Sequence, residues 1–542
     1  MITRPRTLVP ASLTAILLAC ADSEAPTDSS KSISSLAISP VVNSLADPGA
    51  GGCTPTECTL REALAAVSAG GHITFSVSGT IFLARTSGGL TTTKNVTIDG
   101  PATAAGITVH GGGFNFSVLT VPAGRIVVMN RLKITRGGGD FGAGILNRGS
   151  LTLTRLRLTS NAADFEGGGI WNGGTLRVRD STISGNEAND GAGIFNAAAG
   201  NFNVGTSTIS GNHGLDGVGI ENQGRLTLDR STVSGNIAPG GSGAGLFNRT
   251  FGSGVAPALI TNSTFSGNRG AAGGGIDVLG GHVTLQNSSV VGNAVESFGG
   301  GLSVTTGVLE LRNSLVALNT LTDPSAVGPD IAYMGGTLTS RFSLIGTSAG
   351  HSLTDGVVGN IVGATAAEVN LGPLAANGGP TLTHALRAGS IAIDAAESVG
   401  CPTIDQRGVH RPMGGGCDMG SYEYNSVIAF DGFLPPILNR PSLNPLRPGT
   451  AVNLQFRLKG AQGLKVLAPK SPLSQPINCS SKIPTGPDVS TVSPSGTGLS
   501  YDAGKNVYTY PWLTRGQWKG SCRVFVLRLI DGTAYRAYFD FR

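Results

Sequence analysis

Glu166, Asp190 and Asp216 recur at intervals of 24 and 26 residues, with Asp164 and Asn189 close by. If each interval is one turn of a solenoid, three carboxylates stack about 5 Å apart. Such a column repels itself unless it splays into solvent or is bridged by a cation, which makes it a candidate Ca²⁺ site. Carboxylates on adjacent coils beside Arg or Lys also do the acid–base work of polysaccharide lyases and glycoside hydrolases. A plain solvated turn is the reading ahead of both, because Asp suits turn backbone, with Ca²⁺ next and catalysis last. Other columns offer no acidic pair: Asp180 has Arg155 and Thr206 as neighbours, Asp229 has Gly205 and Thr261, and Glu310 has Thr284. No G-x-S-x-G elbow, phosphate loop or zincin motif occurs. No residue is assigned a catalytic role, and Ca²⁺ is the one cofactor the pattern suggests.

The elements that would position this column repeat with it. Closing asparagines stand at Asn161, Asn186, Asn212, Asn236, Asn268, Asn293 and Asn319, giving steps of 25, 26, 24, 32, 25 and 26. A period this short means one supersecondary unit stacked on its own copies. In each unit two apolar residues lie five apart, as in Val178 and Ile183 or Leu228 and Val233. Alternation around the first, as in Leu226-Thr-Leu228, marks a strand with one buried face. A third strand follows a Gly-rich turn and carries Ile145, Ile170, Ile194, Ile220, Leu246, Ile276 and Leu302. Three short strands and three turns per coil predict an all-β fold, a parallel β-helix, with right-handed winding favoured by crossover sterics.

Stacking predicts columns of identical side chains. Asn147, Asn172, Asn196, Asn222 and Asn248 each lie two residues after the third-strand apolar position and form a candidate structural ladder. Asn262, Asn287 and Asn313 form a second column, and Ser181, Ser207, Ser231, Ser263, Ser288 and Ser314 a third. Ladder and turn stabilisation is the reading for these, ahead of a sugar-binding ladder. Composition agrees: Gly is 83 of 542 residues, about 15% against a usual 7% or so, and only 13% are charged. Stacked coils would set like charges face to face, so neutral residues suit them. A net charge of +5 with no Lys/Arg run beyond the first residues argues against nucleic acid as a partner.

Residues 1–20 read as an export signal, with Arg4 and Arg6 before the apolar stretch Leu8 to Leu18. No later segment is long and apolar enough to cross a membrane. Of seven cysteines, setting Cys20 aside leaves six. Their proximity suggests Cys53 with Cys58, Cys401 with Cys417, and Cys479 with Cys522, although six cysteines allow many connectivities. Metal binding is the weaker reading for them, since no CxxC or His cluster accompanies them.

Several segments resemble known families. Leu17-Leu-Ala-Cys20 resembles the lipobox of bacterial lipoproteins. The resemblance implies lipidation of Cys20 and, with Ala21 following, transfer to the outer membrane; ordinary cleavage with secretion is the alternative. Cys53-Thr-Pro-Thr-Glu-Cys-Thr-Leu-Arg-Glu-Ala63 resembles the bacterial CSLREA domain, with Thr59 in place of its Ser. Thr59 and Glu62 also form a capping box before the apolar face Leu60, Ala63, Leu64 and Val67, which predicts a short helix over the first coil. The repeats are similar to those of polymorphic outer membrane proteins, here as Gly168-Gly-Ile170 and Phe265-Ser-Gly-Asn268, without that family's membrane barrel. Residues 390–424, from Ser390-Ile-Ala-Ile-Asp394 to Cys417-Asp-Met-Gly-Ser-Tyr-Glu-Tyr424, are similar to the choice-of-anchor domain that closes bacterial β-helix surface proteins. Asp405, Arg407, Arg411, Asp418 and Glu423 there read as a salt-bridged, disulfide-tied cap. The last 100 or so residues alternate strongly and resemble the small PxKF β-sandwich, with Tyr508, Tyr510, Trp512 and Trp518 as its aromatic core.

The expected organisation is a signal peptide with lipobox (1–20), a flexible tether (21–45), a CSLREA-like cap (46–75) and the β-helix (76–385). A choice-of-anchor-like cap (386–430) and an Ig-like sandwich (431–542) follow. These features imply a monomeric protein of the bacterial cell surface, lipid-anchored in the outer membrane or secreted. Its expected partners are surface glycans or components of host or neighbour cells, met in adhesion, recognition or spacing without catalysis. A Ca²⁺-dependent polysaccharide lyase or hydrolase of the pectate-lyase-like type is the alternative.

Overall fold

The computed structural model describes residues 39–48, 51–250, 256–424, 428–458, 464, 466–468, 470–491, 493, 498–529 and 533–542. Cys20, the export segment and the tether as far as residue 38 lie outside the described residues. From Gly71 to Val362 the chain winds as a parallel β-helix whose strands form sheets of 20, 12 and 6 strands among the described residues. Sheet 1 takes two strands per coil, such as Ile170–Asn172 and Thr175–Arg179. Sheet 2 takes one, such as Thr182–Ser184. Ile170, Ile194 and Ile220 pair in one register and are fully buried, so the aliphatic rows fill a dry shaft. Removing such rows from water is the main driving term for a coil too small to fold alone.

Positive-φ residues turn each coil. At the corner between sheets 1 and 2 a single residue adopts φ of 45–55°: Arg131, Arg155, Asp180, Thr206, Arg230, then Asn262, Asn287 and Asn313. Asn tolerates this conformation best of these types, which explains the Asn column. At the next corner Gly185, Gly211, Gly235, Gly267 and Gly292 take φ of 61–68° just before the closing asparagines.

The coil differs from the expected three strands. Sheet 3 is a fourth strand per coil, running from Glu187–Asp190 through His213–Asp216 to Thr320–Leu321. Its inward residues are small, Ala188 and Ala238 among them, and they pack in a cluster of their own with Ala192 and Val218. Lacking the aliphatic signal of the other strands, it reads as turn in the sequence.

At the N-terminal end, helix Leu60–Ala66 starts with the expected capping box of Thr59 and Glu62. Its apolar face joins the shaft core. Within the span read as tether, Val41–Val42 is a strand parallel to Thr74 and Phe75. The segment read as the C-terminal cap lies along the side of sheet 2, together with residues 371–385, expected in the β-helix and instead forming an antiparallel pair outside its sheets. Thr232 donates to the Leu382 carbonyl, Ser421 N–H to Ser289 Oγ, and Gly420 N–H to the Asn313 carbonyl, so the strap crosses four coils. Beyond it, sheets of four and five strands face each other around an aromatic core. Trp512 lies 5.1 Å from Phe525 and 5.2 Å from Phe539, ring centre to ring centre, across the two. Disulfides join Cys53 to Cys58, Cys401 to Cys417 and Cys479 to Cys522.

Candidate functional site

The acidic column stacks, but its side chains find separate partners. Glu166 bridges to Asp190 and Asp190 pairs with Asp216, all parallel and in register. Glu166 accepts from Trp171 Nε1 at 2.9 Å. Asp190 accepts from Arg249 at 3.1 Å, and Asp216 from the Ser242 N–H at 2.7 Å. Burial holds the Asp190 carboxyl above its ordinary range, against the pull of Arg249. No group of three or more His, Cys, Asp or Glu side chains arranged to hold a metal occurs among the described residues.

Two carboxylates not singled out in the sequence matter more. Glu221, between Ile220 and Asn222, and Asp277, between Ile276 and Val278, share one outward row of the third strand with Phe195, Phe247 and Ser303. The Gly191, Gly217 and Gly273 turns fold over this row, where a Cβ would strike Phe195, Glu221 and Asp277. Glu221 is 0% exposed and pairs with Arg249 Nε at 2.6 Å. Burial pushes its carboxyl up to about 8, and that of Asp277 up to about 6. Buried and held by Arg249, Glu221 offers no access to a polymer substrate. The sequence signal was faint: an acid on a row otherwise Trp, Phe and Ser.

Three ladders run through the solenoid. In the first, each amide Nδ2 of Asn147, Asn172, Asn196 and Asn222 donates to the Oδ1 of the next, ending at Asn248, at 2.7–2.8 Å. The closing asparagines form the second, with Nδ2 to Oδ1 distances of 2.9–3.0 Å from Asn161 to Asn319, and each Oδ1 also accepts the preceding coil's backbone N–H. The serine column is the third: each backbone N–H donates to the next coil's Oγ, as from Ser181 to Ser207 at 3.1 Å. All three rows are buried, so their role is structural satisfaction.

The outer surface of sheet 3 is concave. Hollows of about 480 and 440 Å³ follow one another along it, and one of about 430 Å³, lined by residues between Gly113 and Asp164 on the coils before the sheet begins, leads into them. The first two share Pro239, and the one leading in shares Ala162 and Asp164 with the first. Their floor is one in-register row, Ala162, Glu187, His213 and Ile237, continued by Arg269, Ala294 and Thr320. At about 4.8 Å per coil, the groove extends along the axis for about 30 Å. Its polar side chains are of both signs, with Asp164, Glu187 and Glu296 against Arg269. No protein-family model, curated protein or solved structure matches the chain.

Proposed function

We propose that the protein is an exported, cell-surface β-helix that recognises a linear glycan along the groove over sheet 3, in adhesion rather than catalysis. The carrying observation is the continuity of the three hollows on a single row of outward side chains. A polymer laid along the axis meets the same backbone geometry at every coil, with small residues such as Ala162 and Ala294 leaving room and His213 and Arg269 donating hydrogen bonds. Export and anchoring through Cys20 belong to the same reading, on the strength of the N-terminal sequence pattern.

A glycan array probed with the exported chain tests it. Binding to defined linear glycans, reduced at least tenfold by His213→Ala with Arg269→Ala, supports the groove; binding that ignores both substitutions removes it. Release of unsaturated uronates from pectin or glycosaminoglycan would overturn the non-catalytic part.

A further inference from the structure

Basic residues that are scattered in the sequence become a patch when the coils stack. Lys133 and Arg157 are directly paired on the outer face of sheet 2. Arg131 and Arg155 occupy successive positions of the adjoining corner. Arg177 and Arg179 project from sheet 1 one coil further on. Five of these six side chains are exposed, and Arg131 is half-buried. Asp99, 3.9 Å from Arg131, faces the patch from the preceding coil, and Asp180 follows Arg155 at the corner on the next coil, where it accepts from the Thr206 hydroxyl. Lys133, Arg155, Arg157 and Arg177 have no acidic partner among the described residues.

Two features mark this patch as more than a solvated face. Like charges directly opposite in a sheet repel, and here Lys133 and Arg157 do so unrelieved. Arg131 and Arg155 also sit at φ of 55°, a conformation that later coils give to Asn262, Asn287 and Asn313. The two arginines meet there on successive coils, whereas the next two coils place Asp180 and Thr206 at the same corner. The patch lines a hollow of about 510 Å³, walled by residues 101–108. Towards the N-terminal end, the Lys133 row continues through Thr108 to Thr80, and Phe82, 62% exposed, stands on the same outer face.

We propose that this corner binds an anionic polysaccharide, bearing carboxylate or sulfate groups along its length and running parallel to the solenoid axis. The cations repeat once per coil, a spacing on the scale of one sugar residue, and Phe82 offers a platform for a pyranose face. The concave shape argues for a chain over a flat membrane, and a single aromatic platform argues for sugar over stacked bases. This site lies on a different sheet from the groove and stands without it.

The test is binding of the exported chain to polygalacturonate and dextran sulfate, with neutral dextran as control. Both acidic polymers are expected to bind, weakening at least tenfold between low and moderate salt. Arg155→Asn with Arg157→Thr is expected to reduce binding at least tenfold. Arg155→Asn alone is expected to leave the melting temperature unchanged or raised, because Asn suits the backbone there. Removing the same charge from the sandwich, with Lys505→Ser and Arg536→Ser, is expected to leave affinity within about twofold. Equal loss from both double variants would reduce the effect to net charge and overturn the site. Capture of phosphatidylglycerol vesicles or a single-stranded oligonucleotide in place of the polysaccharides would overturn it as well.

Discussion

Sheet 2 has two halves with one backbone and opposite surroundings. Over the coils of Lys133, Arg157, Thr182 and Thr208 its outer face meets solvent. Over those of Thr232, Thr264, Ser289 and Leu315 it is buried under the strap of residues 371–424. The shaft rows hardly change between the halves; the outward ones stay Thr and Ser through Thr-Val-Ser at 232–234 and Thr-Phe-Ser at 264–266, and change only in the last covered coils, to Ser-Val-Val at 289–291 and Leu-Val-Ala at 315–317. Periodicity fixes what points inward, while each coil's neighbours decide what points out. The bare half carries the basic corner, and the covered half carries neutral hydroxyls that bond to Gln406 and Ser421.

The sharpest way to break this contrast is inside the strap. Arg411 and Glu423 pair at 2.9 Å with both side chains fully buried, and Glu423 also accepts from the Met413 and Asp418 N–H groups. Glu423→Ala strands the Arg411 charge and is expected to cost about 3–5 kcal/mol. Hydrogen exchange should then rise around Thr264 and Ser289 and stay unchanged around Thr182. Reducing Cys401–Cys417, a closure of 16 residues, removes a constraint worth about 3 kcal/mol on the chain-entropy account, with the same asymmetric exchange pattern. Leu315→Ser, buried at 1% exposure under the strap, is expected to cost about 1.5–3 kcal/mol, read from chemical denaturation. Its counterpart on the bare half, Thr182→Ser, should stay within about 0.5 kcal/mol.

A smaller effect, on sheet 1, depends on pH. The Glu221 carboxyl is pushed up to about 8 by burial, whereas in the unfolded chain it titrates in the ordinary range near 4.3 or so. The folded state therefore holds a proton that the unfolded state has released between those values, and stability from this group falls as pH rises through about 8. Glu221→Gln is expected to flatten the stability–pH profile over that range, measured by denaturant titration.

The shaft was legible because Ile170, Ile194 and Ile220 repeat a buried aliphatic at fixed spacing, and burial leaves little freedom of residue type. The helix cap was legible because Thr59 and Glu62 satisfy a local backbone requirement that needs no tertiary knowledge. Sheet 3 escaped because its inward row is mostly alanine and glycine, Ala188, Gly214, Ala238 and Gly270 before Val295, and carries no aliphatic pattern of its own. The strap was read as an end-closing cap because the polar side chains that dock it, Gln406 and Ser421 among them, do not reveal which surface they meet. Glu221 and Asp277 escaped because their burial depends on glycine turns folding over them. The basic corner escaped because cations set two residues or a whole coil apart never form a run.

The asparagine rows have a sense of direction. From Asn161 to Asn293 each Nδ2 donates one hydrogen to the Oδ1 of the following coil and the other to a backbone carbonyl of the preceding one, and Asn319 completes the series by donating to the Asp330 carboxylate at 2.9 Å. Amide dipoles aligned head to tail polarise one another, so partial positive charge gathers where the row terminates. Asp330 is the anion at that terminus, as an acidic residue is at the start of an α-helix. This one row is thus polar along its length, and Asp330 meets its donor end.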